Sequence, residues 1–249
     1  MKLSNYLLGV VAVAALSGCN QNQGNATNNE PLNLTPVAPP KGGDWTQTIS
    51  ETEAGGMLMG NPDAKVKLIE IGSLSCPHCR AFAEEGVPQL VDKYVKSGQV
   101  SWEFRPYLIH GPVDVAADLI VRCNGPTSFF PLVEALYKDQ PTWMAKLETA
   151  PEDKIAEIRG LPTNQTFVAM ASLIGLQDWA AARGVPVAKS NQCLGNQQMI
   201  DKEVQVTSDV NSKYPDFRGT PAFVINGKML PADVVSWATL EPKLREALR

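Results

Sequence analysis

Histidine is almost absent from this 249-residue chain, which has only two, and cysteine is sparse, with five. So little imidazole and thiol leaves poor material for a zinc cage, which takes four such ligands. There is no second Cys-x-x-Cys, and Arg80 stands where haem attachment would place a histidine directly after the first. Positive charge is not concentrated anywhere. The net charge is −4, from 22 Lys plus Arg against 26 Asp plus Glu, so nucleic acid is excluded as a partner. No internal repeat is visible, and the apolar run Tyr6 to Leu16, about eleven residues long, is too short to span a bilayer as a helix.

That short run, preceded by Lys2, reads as the core of a secretory signal over residues 1–18. It ends in Leu16-Ser17-Gly18-Cys19, which resembles the bacterial lipobox, where a cysteine receives lipid and becomes the mature N-terminus. An ordinary signal peptide with an incidental cysteine is the alternative. Residues 19–43 are rich in Asn, Gln, Gly and Pro and have few large apolar side chains, so they read as a flexible tether. Several acyl chains on Cys19 would hold the protein at a membrane. The expected location is therefore the periplasm, anchored by lipid.

About 205 residues remain, enough for one domain with an insertion. Residues 66–73 form a mostly apolar run behind the turn signal Asn61-Pro62-Asp63 and read as a buried strand. From Cys76 the spacing of Phe82, Val87, Leu90, Val91, Tyr94 and Val95 is helical, with a kink expected at Gly86-Val87-Pro88. Gln99 to Leu108 reads as a second strand, completing a βαβ unit. Residues 114–214 are helical throughout. Two short strands then meet at Asn226-Gly227, a hairpin signal, and Thr239 is expected to cap a last helix that buries Leu240, Leu244 and Leu248. The fold class is α/β: a small mixed sheet flanked by helices, from 44–113 and 215–249, interrupted by an all-helical insertion at 114–214.

Cys76-Pro77-His78-Cys79 opens a helix directly after a buried strand. There the first sulfur meets unpaired amides and the positive end of the helix dipole, which favour a thiolate. Cys76 is thus expected to attack and form mixed disulfides, and Cys79, one turn further in, to resolve them. Pro77 stiffens the first turn and His78 can donate toward the Cys76 thiolate. No further cofactor is called for, since the dithiol carries the electrons. Without Cys19 the cysteines number four, and an even number in an oxidising compartment points to pairs. Cys123 and Cys193 are read as a structural disulfide, two buried free thiols being the alternative. His110, before Gly111-Pro112, is read as a loop histidine without a role.

This set of motifs resembles the DsbA family of oxidoreductases, which have a thioredoxin-like fold with a helical insertion. The resemblance covers residues 60–249. It implies that Thr220-Pro221, within Gly219-Thr220-Pro221-Ala222-Phe223, is the cis-proline loop facing the dithiol and pairing with extended substrate. It also implies that Glu70 is a buried acid that moves the proton of Cys79. The activity implied is introduction of disulfides into reduced or partly unfolded exported proteins by a monomer, with a DsbB-like membrane oxidase restoring the disulfide. The same dithiol run as a reductase or isomerase is the alternative, although residues 20–60 are too short and polar to supply a dimerisation domain. A peptide-binding chaperone module is the remaining reading.

Overall fold

The computed structural model of the protein describes residues 34–249. The signal segment 1–18, Cys19 and the tether up to residue 33 lie outside the described residues. The tether reading stops short of residue 43. The Val37 N–H donates to the Ser97 carbonyl at 2.8 Å, and the Val37 carbonyl accepts from the Trp45 indole at 2.7 Å, so this stretch is tied to the body by its own backbone.

Two strands that the apolar pattern did not announce come first, β1 (Ile49–Glu51) and β2 (Met57–Gly60). They are followed by β3 (Val66–Gly72), where the sequence placed a strand. Helix α1 (Pro77–Glu85) starts with Cys76 at its N-cap. The expected kink is a break. The Gly86 N–H closes α1 on the Phe82 carbonyl at 2.7 Å, and the chain restarts as α2 (Val87–Gln89), with Pro88 in its first turn. It continues through a π-helical turn, Leu90–Val95, in which Lys96 N–H reaches back to Val91 at 2.9 Å.

Strand β4 (Val100–Pro106) lies parallel to β3 with Leu68 opposite Trp102 and Glu70 opposite Phe104. Eight helices follow: α3 (Pro112–Arg122), α4 (Pro126–Lys138), α5 (Gln140–Glu148), α6 (Glu152–Arg159), α7 (Thr163–Leu173), α8 (Leu176–Ala181), α9 (Val187–Leu194) and α10 (Gln197–Lys213). The hairpin β5 (Ala222–Ile225) and β6 (Lys228–Met229) turns at Asn226 and Gly227, with φ of 49° and 83°. These are the positive angles that make Asn-Gly the favoured pair in a two-residue hairpin loop. Asn226 also pins the turn to β3: its side-chain oxygen accepts from Lys67 N–H at 2.8 Å and its own N–H donates to the Lys67 carbonyl at 3.0 Å. Helix α11 (Trp237–Leu248) is capped by Ser236 rather than Thr239. Thr239 stands three residues inside and accepts from the Ser236 N–H at 3.2 Å, completing a capping box.

The sheet order is β1-β2-β4-β3-β5-β6, with only β3 and β4 parallel. One face carries Leu68, Glu70, Trp102, Phe104 and Phe223, covered by α1, α4 and α11. Phe82 meets Phe223 at 4.8 Å between ring centres and Phe130 meets Trp102 at 4.7 Å. Each such ring buried from water contributes about 2–3 kcal/mol. The other face is closed by α10, where Val210 and Tyr214 pack on Ile71 and Val224.

The insertion is bound to this body by charge as well as packing. Arg122 on α3 pairs with Asp118 and, at 3.0 Å, with Glu203 on α10, and it reaches the body through Glu51 at 3.7 Å and the Gly55 carbonyl at 2.9 Å. Burial first, and the Asp118 charge next, hold the Glu203 carboxyl well above its ordinary range. Cys123 and Cys193 form a disulfide, with Cα atoms 5.8 Å apart, joining the ends of α3 and α9. Among the described residues no helix is long and apolar enough to cross a membrane.

Candidate active site

Cys76 is the N-cap of α1 because the turn Ser73–Ser75 ends β3 and Pro77, lacking an N–H and fixed in φ, suits the first helical position. Its side chain accepts from the Cys79 backbone amide at 3.4 Å. Both cysteines are free thiols and buried.

Their surroundings drive them apart. Cys76 is lowered to about 5, chiefly because the Cys79 thiol donates to its thiolate, with further donation from the Thr220 side chain and the amides of Cys79 and His78 outweighing burial. As a neutral thiol Cys76 instead donates to the Thr220 carbonyl at 3.3 Å. Cys79 is raised well above its ordinary value, first by burial, then by its bond to Cys76 and by the negative charges of Cys76 and Glu70. His78 acts differently from expectation: its ring is exposed, and its contribution to the sulfur comes through the backbone.

Glu70 lies beneath the dithiol in the middle of the sheet, 1% exposed. Burial raises its carboxyl to about 8, against a bond from the Trp102 indole at 3.1 Å, and the Cys76 charge raises it further. A groove of about 650 Å³ between α1 and α4 has Glu70, Trp102, Phe130 and Tyr137 on its walls. The Thr220–Pro221 peptide bond is cis. Beside it a second groove of about 200 Å³ is lined by Phe217, Pro221, Met229, Leu230 and Val234. Cys76, Cys79, Glu70, Thr220 and Pro221 are therefore brought together. Cys123 and Cys193 are not part of this group. No group of three or more His, Cys, Asp or Glu side chains among the described residues is arranged to hold a metal ion.

Sequence reasoning missed the residues that fix the loop before Cys76. Gln140, buried at the start of α5, donates to the carbonyls of Leu74 and Cys76 at 2.8 and 3.0 Å. Tyr137 donates to the Ser73 carbonyl at 3.0 Å. Ser73 and Ser75 are hydrogen-bonded to Asp114 and His110 on the far side. The available signal was the pair of serines in a turn with few other polar groups, since buried hydroxyls need partners.

The comparisons agree with this geometry. A family model described as Thioredoxin matches residues 52–242. A crystal structure of a protein-disulfide isomerase from Novosphingobium aromaticivorans is 32% identical, with a TM-score of 0.72, covering 77% of this chain and 96% of that one. Wolbachia pipientis α-DsbA1 shares the fold at 20% identity, with a TM-score of 0.58 over 78% of this chain and 90% of that one. A provisionally named protein-disulfide oxidoreductase of Rickettsia bellii is 26% identical over 172 residues, 69% of this chain and 57% of its own length. The chain thus spans little more than half the length of that curated relative. With a Cys-x-x-Cys at the head of α1, a cis-proline facing it and a helical block set into the sheet domain, the chain belongs to the thioredoxin family, in its DsbA-like form.

Proposed function

We propose that the protein is a thiol–disulfide oxidoreductase that passes the Cys76–Cys79 disulfide to exported, reduced or partly unfolded proteins. The observation that carries this is the asymmetry of the two sulfurs, with Cys76 near 5 and Cys79 far higher. A stabilised Cys76 thiolate stabilises the reduced enzyme, so the disulfide form is an oxidant.

A substrate thiolate attacks Cys76 Sγ, the Cys76–Cys79 bond breaks, and Cys79 leaves with the electron pair. Glu70, protonated at neutral pH, is positioned to give that leaving sulfur its proton. A second substrate thiolate then attacks the substrate sulfur of the mixed disulfide and releases the Cys76 thiolate. The substrate loses two electrons and the dithiol gains them. Extended substrate docks along Thr220-Pro221 and the adjoining groove, recognised largely through its backbone. A DsbB-like membrane oxidase would take the electrons onward, with the enzyme working as a monomer held in the periplasm by lipid on Cys19.

Equilibration with glutathione, together with titration of the Cys76 thiolate by its ultraviolet absorbance, tests the direction. A Cys76 pKa near 5 and a potential more oxidising than that of thioredoxin are expected. A free-thiol pKa with a thioredoxin-like potential would overturn the oxidase reading in favour of a reductase. The likeness to the Novosphingobium protein-disulfide isomerase supports isomerisation as the second reading. Reactivation of a scrambled test protein at low oxidant separates the two.

A further inference from the structure

Two histidines serve the whole chain. One is in the Cys-x-x-Cys, and the other, His110, sits on the loop after β4 with its backbone and its ring both engaged. Its N–H donates to Asp114 Oδ2 at 2.6 Å, and its Nδ1 lies 2.7 Å from the Ser75 hydroxyl. Gly111, at φ of 52°, makes the turn between them, a conformation that favours glycine. Ser75 Oγ lies 3.0 Å from Ser73 Oγ, and Ser73 donates to Asp114 Oδ1 at 2.8 Å. The Ser75 N–H reaches both Ser73 Oγ and Asp114 Oδ1 at 3.2 Å.

The result is a closed ring of bonds through Asp114, Ser73, Ser75 and His110. The first three are each 2% exposed, while His110 stands at the surface. A buried carboxylate that accepts three or four N–H and O–H donors fixes their directions closely.

Ser73 is where this ring meets the chemistry. Its carbonyl accepts from the Cys76 N–H at 3.2 Å and from the Tyr137 hydroxyl at 3.0 Å. We propose that His110 and Asp114 are positioning residues of the dithiol, holding, through the hydroxyls of Ser75 and Ser73, the Ser73 peptide whose carbonyl accepts from the Cys76 N–H. The Ser73 carbonyl holds the N-cap of α1 in place, and with it the Cys79 amide that donates to Cys76 Sγ at 3.4 Å. Loosening Ser73 weakens that bond, so the reduced form loses stability and the disulfide becomes a poorer oxidant. This rests on the proposed redox activity only in that both concern the same dithiol.

The test compares the parent with Asp114→Asn, Ser75→Ala, His110→Ala and His110→Asn in the glutathione equilibrium and in thiolate titration. Asp114→Asn puts an amide NH2 where donors converge. It is expected to shift the equilibrium constant about tenfold toward the disulfide, equivalent to about 30 mV for this two-electron couple. Ser75→Ala and His110→Ala should shift it in the same direction by about threefold, within the range of one lost hydrogen bond. His110→Asn, whose amide stands where Nδ1 does, should restore the parent value.

Ser75→Ala and His110→Ala make small changes, one of them at the surface, so they report even if Asp114→Asn fails to fold. Parent-like potentials and Cys76 titrations in folded Ser75→Ala and His110→Ala overturn the proposal. If the parent itself has a thioredoxin-like potential, the oxidase reading fails, while the differences between variants and parent still decide this one.

Discussion

The two cysteine pairs of this protein have opposite fates, and their addresses on helices explain why. Cys76 is an N-cap, and Cys79 lies in the first turn of the same helix. Cys123 caps the C-terminal end of α3, and Cys193 is the next-to-last residue of α9. A helix start favours a negative sulfur and a helix end opposes it. The first pair thus has a stabilised thiolate that can exchange. The second pair, if opened, would have two poor thiolates facing each other, which suits a bond that stays closed. Reactivity here follows from which end of a helix holds the sulfur and from how unequally the two sulfurs are treated.

The sharpest way to break this comparison is to remove the attacking sulfur. Cys76→Ser should abolish oxidation of a reduced test protein, and in Cys79→Ala the Cys76 thiolate, given a test protein that carries a disulfide, should attack it, expel one substrate thiolate and accumulate as a mixed disulfide visible on non-reducing gels. Undiminished turnover by Cys76→Ser would end the assignment of Cys76 as the exchanging sulfur.

Next in size is the double substitution Cys123→Ala with Cys193→Ala. The bond closes a loop of 70 residues, and its loss should cost about 4 kcal/mol in the chain-entropy model, read by denaturant unfolding. The potential of the Cys76–Cys79 pair should not move. A change in that potential would show that the two pairs are coupled.

The smallest effect concerns Glu70. Its carboxyl is raised from 4.5 to about 8, so folding gains from its proton fully below pH 4.5 and loses that gain as pH rises through about 8. Cys76 is lowered from 9.0 to about 5, so its contribution has the opposite sign, absent below pH 5 and growing toward pH 9. In the reduced parent these trends oppose each other between pH 5 and 8. Glu70→Gln removes the first, so the stability of the reduced variant should climb with pH across that window more steeply than the parent's. Parallel profiles would show that Glu70 does not titrate there.

What could be read in advance was local. The strand before Cys76, the helical character of 114–214 and the Asn-Gly hairpin each rest on a contiguous pattern of residues. Strands β1 and β2 were missed because they are three and four residues long and owe their form to pairing, β2 with β4, where Met57 lies opposite Phe104 and Met59 opposite Trp102, and β1 with β2. The same distance problem hid half of the site. Glu70 was legible, but its partner Trp102 lies 32 positions away. Ser73 needs Asp114, 41 positions on, before its hydroxyl has a purpose. Capping at Ser236 rather than Thr239 was a local ambiguity, since either side chain suits a helix start and only the backbone conformation decides.

The hairpin turn also sets the length of a ruler. Asn226 grips Lys67 at the start of β3, and from there the pairing counts back residue by residue, Ile225 on Leu68 through to Ala222 on Ile71. Pro221 is the next mark, level with the point where β3 gives way to the loop that leads to Cys76. One residue added to β5 would move that mark by about 3.4 Å along the strand and turn every side chain of β5 to the opposite face. The spacing between the proline and the sulfur is therefore measured out from the far end of the sheet, by a turn that never touches the dithiol.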